Sequence, residues 1–517
     1  MNTIYKSCVW LLLTGFLFTS CKKFLEQTSQ DEIIPSTTDD LTQLLNAEGY
    51  PYNIVVDNYT DLLTDDVQCT GVPAGISASL ATTYTSMLNN GTSLFTFNPT
   101  MFDSTGTTIN VLGLSGVDSW KIYYGKIKGC NVVLDYINKV SGNDQQKNAL
   151  RGQALFLRAF YYLKLVTLYG QPYSGAGIDP ATSPGVPLIL SSEVSDSKPV
   201  RNTLAEVYSQ IEKDLLQAAD LLKNNFKPAN TFRVGHIAAY ALLSRLYLYM
   251  GRDEDMDNVI TYATNALNEK PGLTSLATFL LTYKSYDASG IYDFTKSPEI
   301  VWEFGANSVQ TTTFFPSAAS PGNVIPPYSV SPELAGLYEQ GNGTDTTYIG
   351  DLRYMMYYAR TFSIVWPVRS FKISQNKLTL EAKGIRVAEL YLNRAEALIR
   401  RYKKNSSAAD LSQALSDLNT LRANRFDTRF KTYKPVNITD ADALFSFCKD
   451  ERRRELSFEE NFRWVDIKRW GMAITHHYVD ANGVASDYTL SRGSNLYALP
   501  IPYTAINRND QLTQNPR

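Results

Sequence analysis

The sequence predicts an all-α dominated fold: a helical-repeat scaffold with long irregular loop insertions and a few short strands. Apolar residues recur at three- and four-residue steps through about 118–270 and again through about 383–470. Between these stretches, residues 271–380 lose the helical period and become rich in Ser, Thr, Gly, Pro and aromatic residues. Helix pairs that cannot bury their apolar faces alone stack on their neighbours, so the two stretches predict one solenoid-like scaffold.

The first residues of the sequence predict a secretion signal. Lys6 precedes an apolar run over residues 9–18, and the small residues Thr19 and Ser20 follow the run. The run is much shorter than the roughly 20 residues that cross a bilayer, so it does not predict a permanent transmembrane helix. We therefore expect residues 1–20 to be a signal peptide.

Cys21 follows this signal directly. A small residue before a cysteine at the end of an apolar run is typical of a lipobox, in which the cysteine becomes the lipidated N-terminus. Phe18 departs from the usual leucine, and an ordinary signal with an incidental cysteine is the alternative. We expect a lipidated N-terminus and tether over 21–40, and a single body over 41–517 whose first helix begins near Leu41.

Composition limits the classes of function. Lys and Arg number 49 against 51 Asp and Glu, with no long run of either sign, so no nucleic-acid partner is predicted. The 33 tyrosines, 23 phenylalanines and 6 tryptophans supply flat rings that suit wet contact surfaces. The body keeps Cys69, Cys130 and Cys448; buried free thiols are favoured, and a bridge between the first two stays open.

Several helix pairs make up the two periodic stretches. The first pair lies between residues 118 and 169, with Trp120 on its apolar face. Residues 240–266 match a tetratricopeptide unit, in which Tyr240 takes an aromatic position and Gly251 the turn. Further helices are predicted at residues 203–222, 385–400, 411–424 and 441–470. The scaffold is therefore expected to be tetratricopeptide-like.

The insertion at residues 271–380 is the predicted ligand region. Residues 299–304 alternate like a short strand in which Trp302 is structural, and prolines and glycines mark several turns. Loops of this length inside a compact protein are usually functional. Residues 471–517 form a C-terminal segment after the scaffold.

Catalytic constellations are absent from the sequence. The three histidines, His236, His476 and His477, have no metal-ligand spacing, and the adjacent pair is expected to be solvated. No G-x-S-x-G elbow, P-loop or dinucleotide motif occurs. The adjacent carboxylates at 65–66 and 459–460 lack the separation across a cleft that glycoside hydrolysis needs. The sequence predicts a non-enzymatic protein without a cofactor and leaves calcium open.

Residues 449–471 form a strongly charged helical segment. Its acids and bases alternate at three- and four-residue steps, with apolar residues such as Phe462 and Val465 between them. This pattern favours internal ion pairing over a basic binding face. We expect structural roles for Arg454, Glu455, Glu459, Arg463 and Asp466.

The same segment carries a family resemblance. Residues 451–459, with Arg463, Asp466 and residues 469–471, resemble the C-terminal signature of SusD/RagB-like proteins. Four further segments agree in the expected order: 21–25, 154–162, 386–397, and the ending from 498–502 to 514–516. Any one segment is weakly specific, whereas the set covers essentially the whole mature chain.

The resemblance implies a surface-exposed, lipid-anchored protein of the outer membrane with a tetratricopeptide-like scaffold. It also implies a partner, a SusC/RagA-like TonB-dependent transporter over which such a protein sits. The usual ligands are oligosaccharides and, in the RagB-like branch, peptides. We therefore expect a receptor that captures oligosaccharides and delivers them to the transporter, with a receptor for peptides or another nutrient as the alternative.

Candidate ligand contacts come from the residues alone, because the family motifs mark the scaffold. Sugars present flat C–H faces and many hydroxyls, so their receptors need exposed rings and orienting polar groups. Packing inside their own loops is the alternative for every ring. Six rings of the insertion are predicted contacts: Tyr283, Tyr286, Phe314, Phe315, Tyr328 and Trp366. Tyr84 and residues Phe95 to Phe97, in the other long irregular stretch of the sequence, supply second-tier candidates.

Replacing Cys21 tests the anchor. Because a multiply acylated cysteine holds a protein stably on a membrane, Cys21→Ala should release the protein from the membrane fraction. Cell fractionation and metabolic labelling with a fatty acid measure the two effects. Cys8→Ala, inside the signal, is the matched control and should change neither. Unchanged fractionation of Cys21→Ala together with an unlabelled wild type would refute lipidation.

Overall fold

A computed structural model gives the architecture of the body from residue 34 onward. It describes residues 34–52, 57–103, 118–194, 196–282, 285–286, 291, 296–304, 314–315, 324–341, 345, 347–360, 367–370 and 383–517. For residues 282, 285–286, 359–360 and 367–370 it describes the backbone alone. None of the helices in these ranges is long and apolar enough to span a membrane.

Helices dominate the described residues. In chain order they are α1 (Thr38–Leu44), α2 (Ala78–Phe95), α3 (Ser119–Tyr136), α4 (Asp144–Tyr169), α5 (Leu204–Asn225), α6 (His236–Met250), α7 (Met256–Glu269), α8 (Pro332–Gly336), α9 (Arg353–Met356), α10 (Val387–Asn405), α11 (Ala408–Ala423), α12 (Ala441–Leu456), α13 (Phe462–Arg469) and α14 (Tyr503–Ile506). A π-helical turn (Leu45–Gly49) continues α1, and a 3-10 helix (Asn58–Leu63) precedes the first strand.

Local sequence signals explain where the longest helices begin and end. Asn143 and Gln146 form a capping box at the start of α4, and Thr203 and Glu206 form one at the start of α5. Gly251 ends α6 in the left-handed conformation with a φ of 71°, which a residue without a side chain adopts at little cost. The tight turn after Gly251 lets α7 fold back on α6, as the tetratricopeptide spacing predicts.

The long helices stack in sequence. Each of α3 to α6 packs on the next, α10 packs on α7, and α11 and α12 pack on α10. Two buried bidentate ion pairs join neighbours within the stack: Arg158 of α4 with Asp214 of α5, and Arg245 of α6 with Glu389 of α10. The predicted repeat scaffold is confirmed, and the insertion enters it between α7 and α10.

Within the described ranges, ten short strands pair in twos. They are β1 (Val67–Cys69), β2 (Leu280–Thr282), β3 (Ser285–Tyr286), β4 (Ile300–Phe304), β5 (Tyr328–Val330), β6 (Tyr358–Arg360), β7 (Pro367–Ser370), β8 (Lys383–Arg386), β9 (Ile474–Val479) and β10 (Ala485–Leu490). All pairs are antiparallel: β1 with β5, β2 with β3, β4 with β8, β6 with β7, and β9 with β10.

The pair β4–β8 closes the insertion at its base. Trp302 of β4 is fully buried, and its ring lies 5.3 Å from Phe156 and 5.1 Å from Phe160 of α4 between centroids. The predicted strand at residues 299–304 and the structural role of Trp302 are confirmed. Because β8 leads directly into α10, both ends of the insertion are fixed to the scaffold.

A buried ion network joins these ends to α12. Its members are Arg353, Arg386, Arg422, Arg425 and Arg454 with Glu299, Asp351, Glu451, Glu455 and Glu459. Glu455 accepts from three guanidinium groups, those of Arg425 at 2.9 Å, Arg386 at 2.9 Å and Arg353 at 3.2 Å. The predicted internal pairing of the charged segment is confirmed.

Other charged residues of this segment also form ion pairs. Arg463 binds Asp65 through two hydrogen bonds of 2.7 Å, and Arg453 binds Asp66 at 2.6 Å. Arg452 and Arg469 both pair with Asp466, at 2.9 Å and 2.7 Å. The acidic pair at residues 65–66 is therefore a docking point for α12 and α13.

Some details of the chain differ from the sequence-based expectations. The segment with Tyr84 is the regular helix α2, because no helix-breaking residue occurs between Ser77 and Gly91. Residues 474–490 form the hairpin β9–β10. His477 is exposed, but His476 is buried between the rings of Phe95 and Phe97, and the expectation that both histidines are solvated is wrong for it.

The cysteines of the body are free. Cys69, Cys130 and Cys448 are all buried and unbridged, as the sequence favoured. Burial raises the pKa of the Cys130 thiol to about 12. Among the described residues, no group of three or more His, Cys, Asp or Glu side chains is arranged to hold a metal ion.

The network makes stability depend on pH. Burial alone would raise the pKa of Glu451, but Arg353, Arg422 and Arg454 outweigh it and hold the pKa at about 2, below its ordinary value of 4.5. The unfolded chain therefore binds this proton more readily than the folded one. The stabilisation is present above pH 4.5 and lost as the pH falls from 4.5 to 2.

Substituting Glu451 tests this coupling. Leaving the three arginines without this carboxylate should lower the free energy of unfolding at pH 7 by about 3–5 kcal/mol in Glu451→Gln. The same variant should lose less stability than the wild type on acidification. Urea unfolding followed by circular dichroism at several pH values measures both. Glu254→Gln, at an exposed position, is the control; equal pH profiles for Glu451→Gln and the wild type would contradict the proposal.

Candidate ligand-binding site

Three of the predicted contact rings are buried in the body. Tyr328 is 0% exposed, and Phe314 and Phe315 are each 3% exposed. The hydroxyl of Tyr328 donates to the carbonyl oxygen of Leu88 at 2.9 Å, and Phe315 packs edge-on against Phe458 at 6.2 Å between centroids. The prediction that these three rings are available for stacking on a ligand is therefore wrong.

The packing of Tyr328 depends on a glycine. Strand β5 pairs with β1 and brings Tyr328 against α2, where its ring occupies the space that a Cβ atom on Gly91 would need. The second-tier rings lie in the same region, and Tyr84, Phe95 and Phe97 are also buried. These rings build the core between α2 and the paired strands.

The other predicted contacts are not located by the structure. Tyr283 and Trp366 lie outside the described residues. Tyr286 belongs to β3, where the structure describes its backbone alone. Their contact with a ligand stays a prediction.

A groove of about 610 Å³ opens at the start of α3, and we call it the aromatic groove. The rings that line it are Phe102, Trp120, Tyr124 and Tyr503, and its polar residues are Asp118, Lys121, Thr504, Arg508 and Asn509. Phe102 and Trp120 are buried and form its inner wall, whereas Tyr503 is 38% exposed at its rim. The groove thus joins apolar ring faces to hydrogen-bonding groups.

Hydrogen bonds fix the shape of the aromatic groove. The hydroxyl of Tyr124 donates to the carbonyl oxygen of Pro187 at 2.8 Å, so this ring is held in one position. Burial raises the pKa of the Tyr124 phenol well above its usual value, so the hydroxyl stays protonated. The Thr504 hydroxyl donates to Asp118 at 2.7 Å and joins α14 to the start of α3.

The C-terminal segment forms one wall of the aromatic groove. The backbone amide of Tyr503 donates to the carbonyl oxygen of Phe102 at 3.4 Å. Further along, Asn515 is buried and donates to the carbonyl oxygens of Tyr169 at 2.9 Å and Leu499 at 2.7 Å. The end of the chain is therefore fastened to the C-terminus of α4 beside the groove.

A second groove, of about 470 Å³, lies at the C-terminal end of α6. It contains Arg400, Lys403 and Lys404, but each of these has a partner within the protein. Arg400 donates to the carbonyl oxygen of Gly251 at 2.7 Å, Lys403 pairs with Asp442, and Lys404 lies 3.6 Å from Asp253. Because these cations already have partners within the scaffold, the aromatic groove is the better candidate site.

Comparison with known proteins gives the family. A model described as starch-binding and associating with the outer membrane matches residues 52–248. The model of the SusD family matches residues 334–517. The chain belongs to the SusD family. The resemblance in the short motifs is confirmed by these matches, which together span most of the body.

Two SusD-like proteins of Formosa agariphila are similar in sequence. One is 24% identical over 403 residues, which are 69% of this chain and 72% of the relative. The other is 24% identical over 443 residues, which are 77% of this chain and 79% of the relative.

Solved structures share the fold. A putative sugar binding protein of Bacteroides vulgatus is 24% identical with a TM-score of 0.66, and the match covers 94% of this chain and 99% of that one. A SusD superfamily protein of Bacteroides thetaiotaomicron is 22% identical with a TM-score of 0.66, covering 93% and 100%. These likenesses confirm the all-α, tetratricopeptide-like fold class.

The sequence contained no local signal for the aromatic groove. Lys121 and Tyr124 lie on a helix that the periodicity marked as scaffold, and Tyr503 and Arg508 lie near the end of the chain. Only the folded chain brings them together.

Tyr328 variants separate core from site. Because the ring is fully buried, Tyr328→Ala should lower the free energy of unfolding by about 3–5 kcal/mol. Tyr328→Phe keeps the ring and loses one hydrogen bond, which costs about 1 kcal/mol. Chemical denaturation measures both values. A stable Tyr328→Ala protein that had lost only ligand binding would contradict the burial of this ring.

Proposed function

We propose that the protein is an outer-membrane receptor that binds oligosaccharides without changing them chemically. The observation that carries the proposal is the match of both halves of the chain to SusD-family models, one of them described as starch-binding and associating with the outer membrane. The name of a structural neighbour, a putative sugar binding protein, agrees with this ligand class.

The aromatic groove is the proposed site. Stacking a sugar needs an accessible ring, and Tyr503 at the rim supplies one. Orienting a sugar needs donors and acceptors around that ring, and Asn509, Thr504 and Lys121 line the same groove. Its volume of about 610 Å³ suits a short oligosaccharide segment. Trp366, Tyr283 and Tyr286 remain proposed contacts from the insertion.

Anchoring and delivery complete the proposal. A lipid on Cys21 would hold the body at the outer membrane, facing outward. A SusC/RagA-like TonB-dependent transporter, implied by the family resemblance, would receive the captured ligand. Peptide binding is the alternative that the family resemblance leaves for the same protein.

Tyr503→Ala tests the site. A stacked ring contributes about 0.5–1.5 kcal/mol beyond its buried area, so affinity for an oligosaccharide should fall by up to about tenfold. Isothermal titration calorimetry on the purified full chain in detergent, with neutral and acidic oligosaccharide pools and with peptide pools, measures the affinity. Mass spectrometry of the recovered ligand checks that it is unchanged.

Tyr488→Ala is the matched control for this substitution. Tyr488 is 37% exposed, close to the exposure of Tyr503, but lies on the hairpin β9–β10. It should leave both affinity and melting temperature nearly unchanged. Binding of peptides alone would replace the proposed ligand class, and cleavage of the sugar would refute the receptor function.

A further inference from the structure

Two cations at the aromatic groove have no carboxylate partner. Lys121 and Arg508 both line the groove, and within the described part of the chain neither forms an ion pair. Residues 104–117, which connect Phe102 and Asp103 to the start of α3, contain no charged side chain. The cations therefore differ from those of the second groove, which the scaffold already uses.

A third cation lies behind the groove wall. The guanidinium of Arg201 donates to the carbonyl oxygens of Gly185 at 2.7 Å and Thr513 at 3.2 Å, and to the Asn515 side chain at 2.7 Å. These partners are neutral, so its positive charge is not cancelled locally. Burial lowers the pKa of Arg201 to about 10, which still leaves it charged at neutral pH.

Two acids lie in or beside the groove, and both have partners. Asp118 is the acid in the lining, and its two oxygens accept from the Lys121 amide at 2.9 Å and the Thr504 hydroxyl at 2.7 Å. Asp510, next to Asn509, pairs with Lys198 at 3.0 Å. Asp118 keeps its negative charge because its own partners are neutral. Three cations, Lys121, Arg508 and Arg201, stand against it, so the balance of charge around the groove is positive.

We propose that the aromatic groove selects acidic oligosaccharides and binds a carboxylate or sulfate group between Lys121 and Arg508. The proposal rests on the receptor function proposed above and names its ligand class. The apolar face of the sugar stacks on Tyr503, and the anionic substituent accepts hydrogen bonds from the ammonium and guanidinium groups. A guanidinium binds two oxygens of one anion at once, so Arg508 fixes orientation as well as charge.

Paired ligand pools test the charge preference. Short oligosaccharides from pectin and alginate carry carboxylates, those from carrageenan carry sulfates, and each pool is compared with its carboxyl-reduced or desulfated product. Neutral starch and xylan oligosaccharides complete the set. We expect at least one acidic pool to bind the full chain, and its neutralised product to bind about tenfold more weakly or not at all. Comparing the carboxylated and sulfated pools tells which anion is preferred.

Variants assign that preference to the groove. Lys121→Ala/Arg508→Ala should weaken acidic ligands about tenfold or more and remove most of the salt dependence of binding. Lys223→Ala, at an exposed position on α5, is the control for loss of one surface charge. Both side chains of the double variant lie at the surface, so the melting temperature should not change.

The outcomes separate this inference from the receptor function. Preference for a neutral pool, or acidic binding that the double variant leaves intact, overturns the inference and leaves the receptor function standing. Absence of binding to every pool overturns both. Acidic binding that falls in the double variant and persists in Lys223→Ala supports the inference.

Discussion

The arrangement of the body depends on charges that cannot be left unpaired in a dry interior. Fully buried arginines such as Arg353 and Arg425 are tolerated only when carboxylates are already in place around them. Their partners come from the residue just before β4, from α12 and from the loop before α9. All of these segments must be in place in the folded protein, because a missing acid would leave an unpaired cation in the core. The network therefore fixes the insertion to the scaffold at three points, Glu299, Arg353 and Arg386.

Much of the scaffold could be predicted from the sequence, because the period of a helix is visible within a short stretch of residues. Apolar residues at three- and four-residue steps placed α3 to α7 and α10 to α12, and the alternation around Trp302 placed β4. Internal pairing of the charged segment was also predictable, since acids and bases alternated along it. Its partners were not: Glu299 and Asp351 lie far away in sequence, and no local pattern links them to α12.

The candidate site was less predictable, because exposure is a property of the folded chain. Tyr328 lies in a segment with the composition of a loop. It is nevertheless part of the core, because β5 pairs with β1 and because Gly91 has no side chain where the Tyr328 ring packs. Composition cannot distinguish such a ring from one that faces solvent. Tyr503 and Arg508 gave the opposite difficulty, since their segment reaches the groove through contacts of Tyr503 with Phe102 and of Thr504 with Asp118, both far earlier in the sequence.

The position of the C-terminal wall in the sequence bears on the order in which the body folds. Contacts between residues separated by most of the chain form slowly, because a long loop must close before they stabilise anything. Tyr503 meets Phe102, and Asn515 meets Tyr169, across such distances. We therefore expect the groove to be completed after the helix stack that supports it. A chain in which these contacts had not yet formed would have the helix stack but would lack one wall of the proposed site.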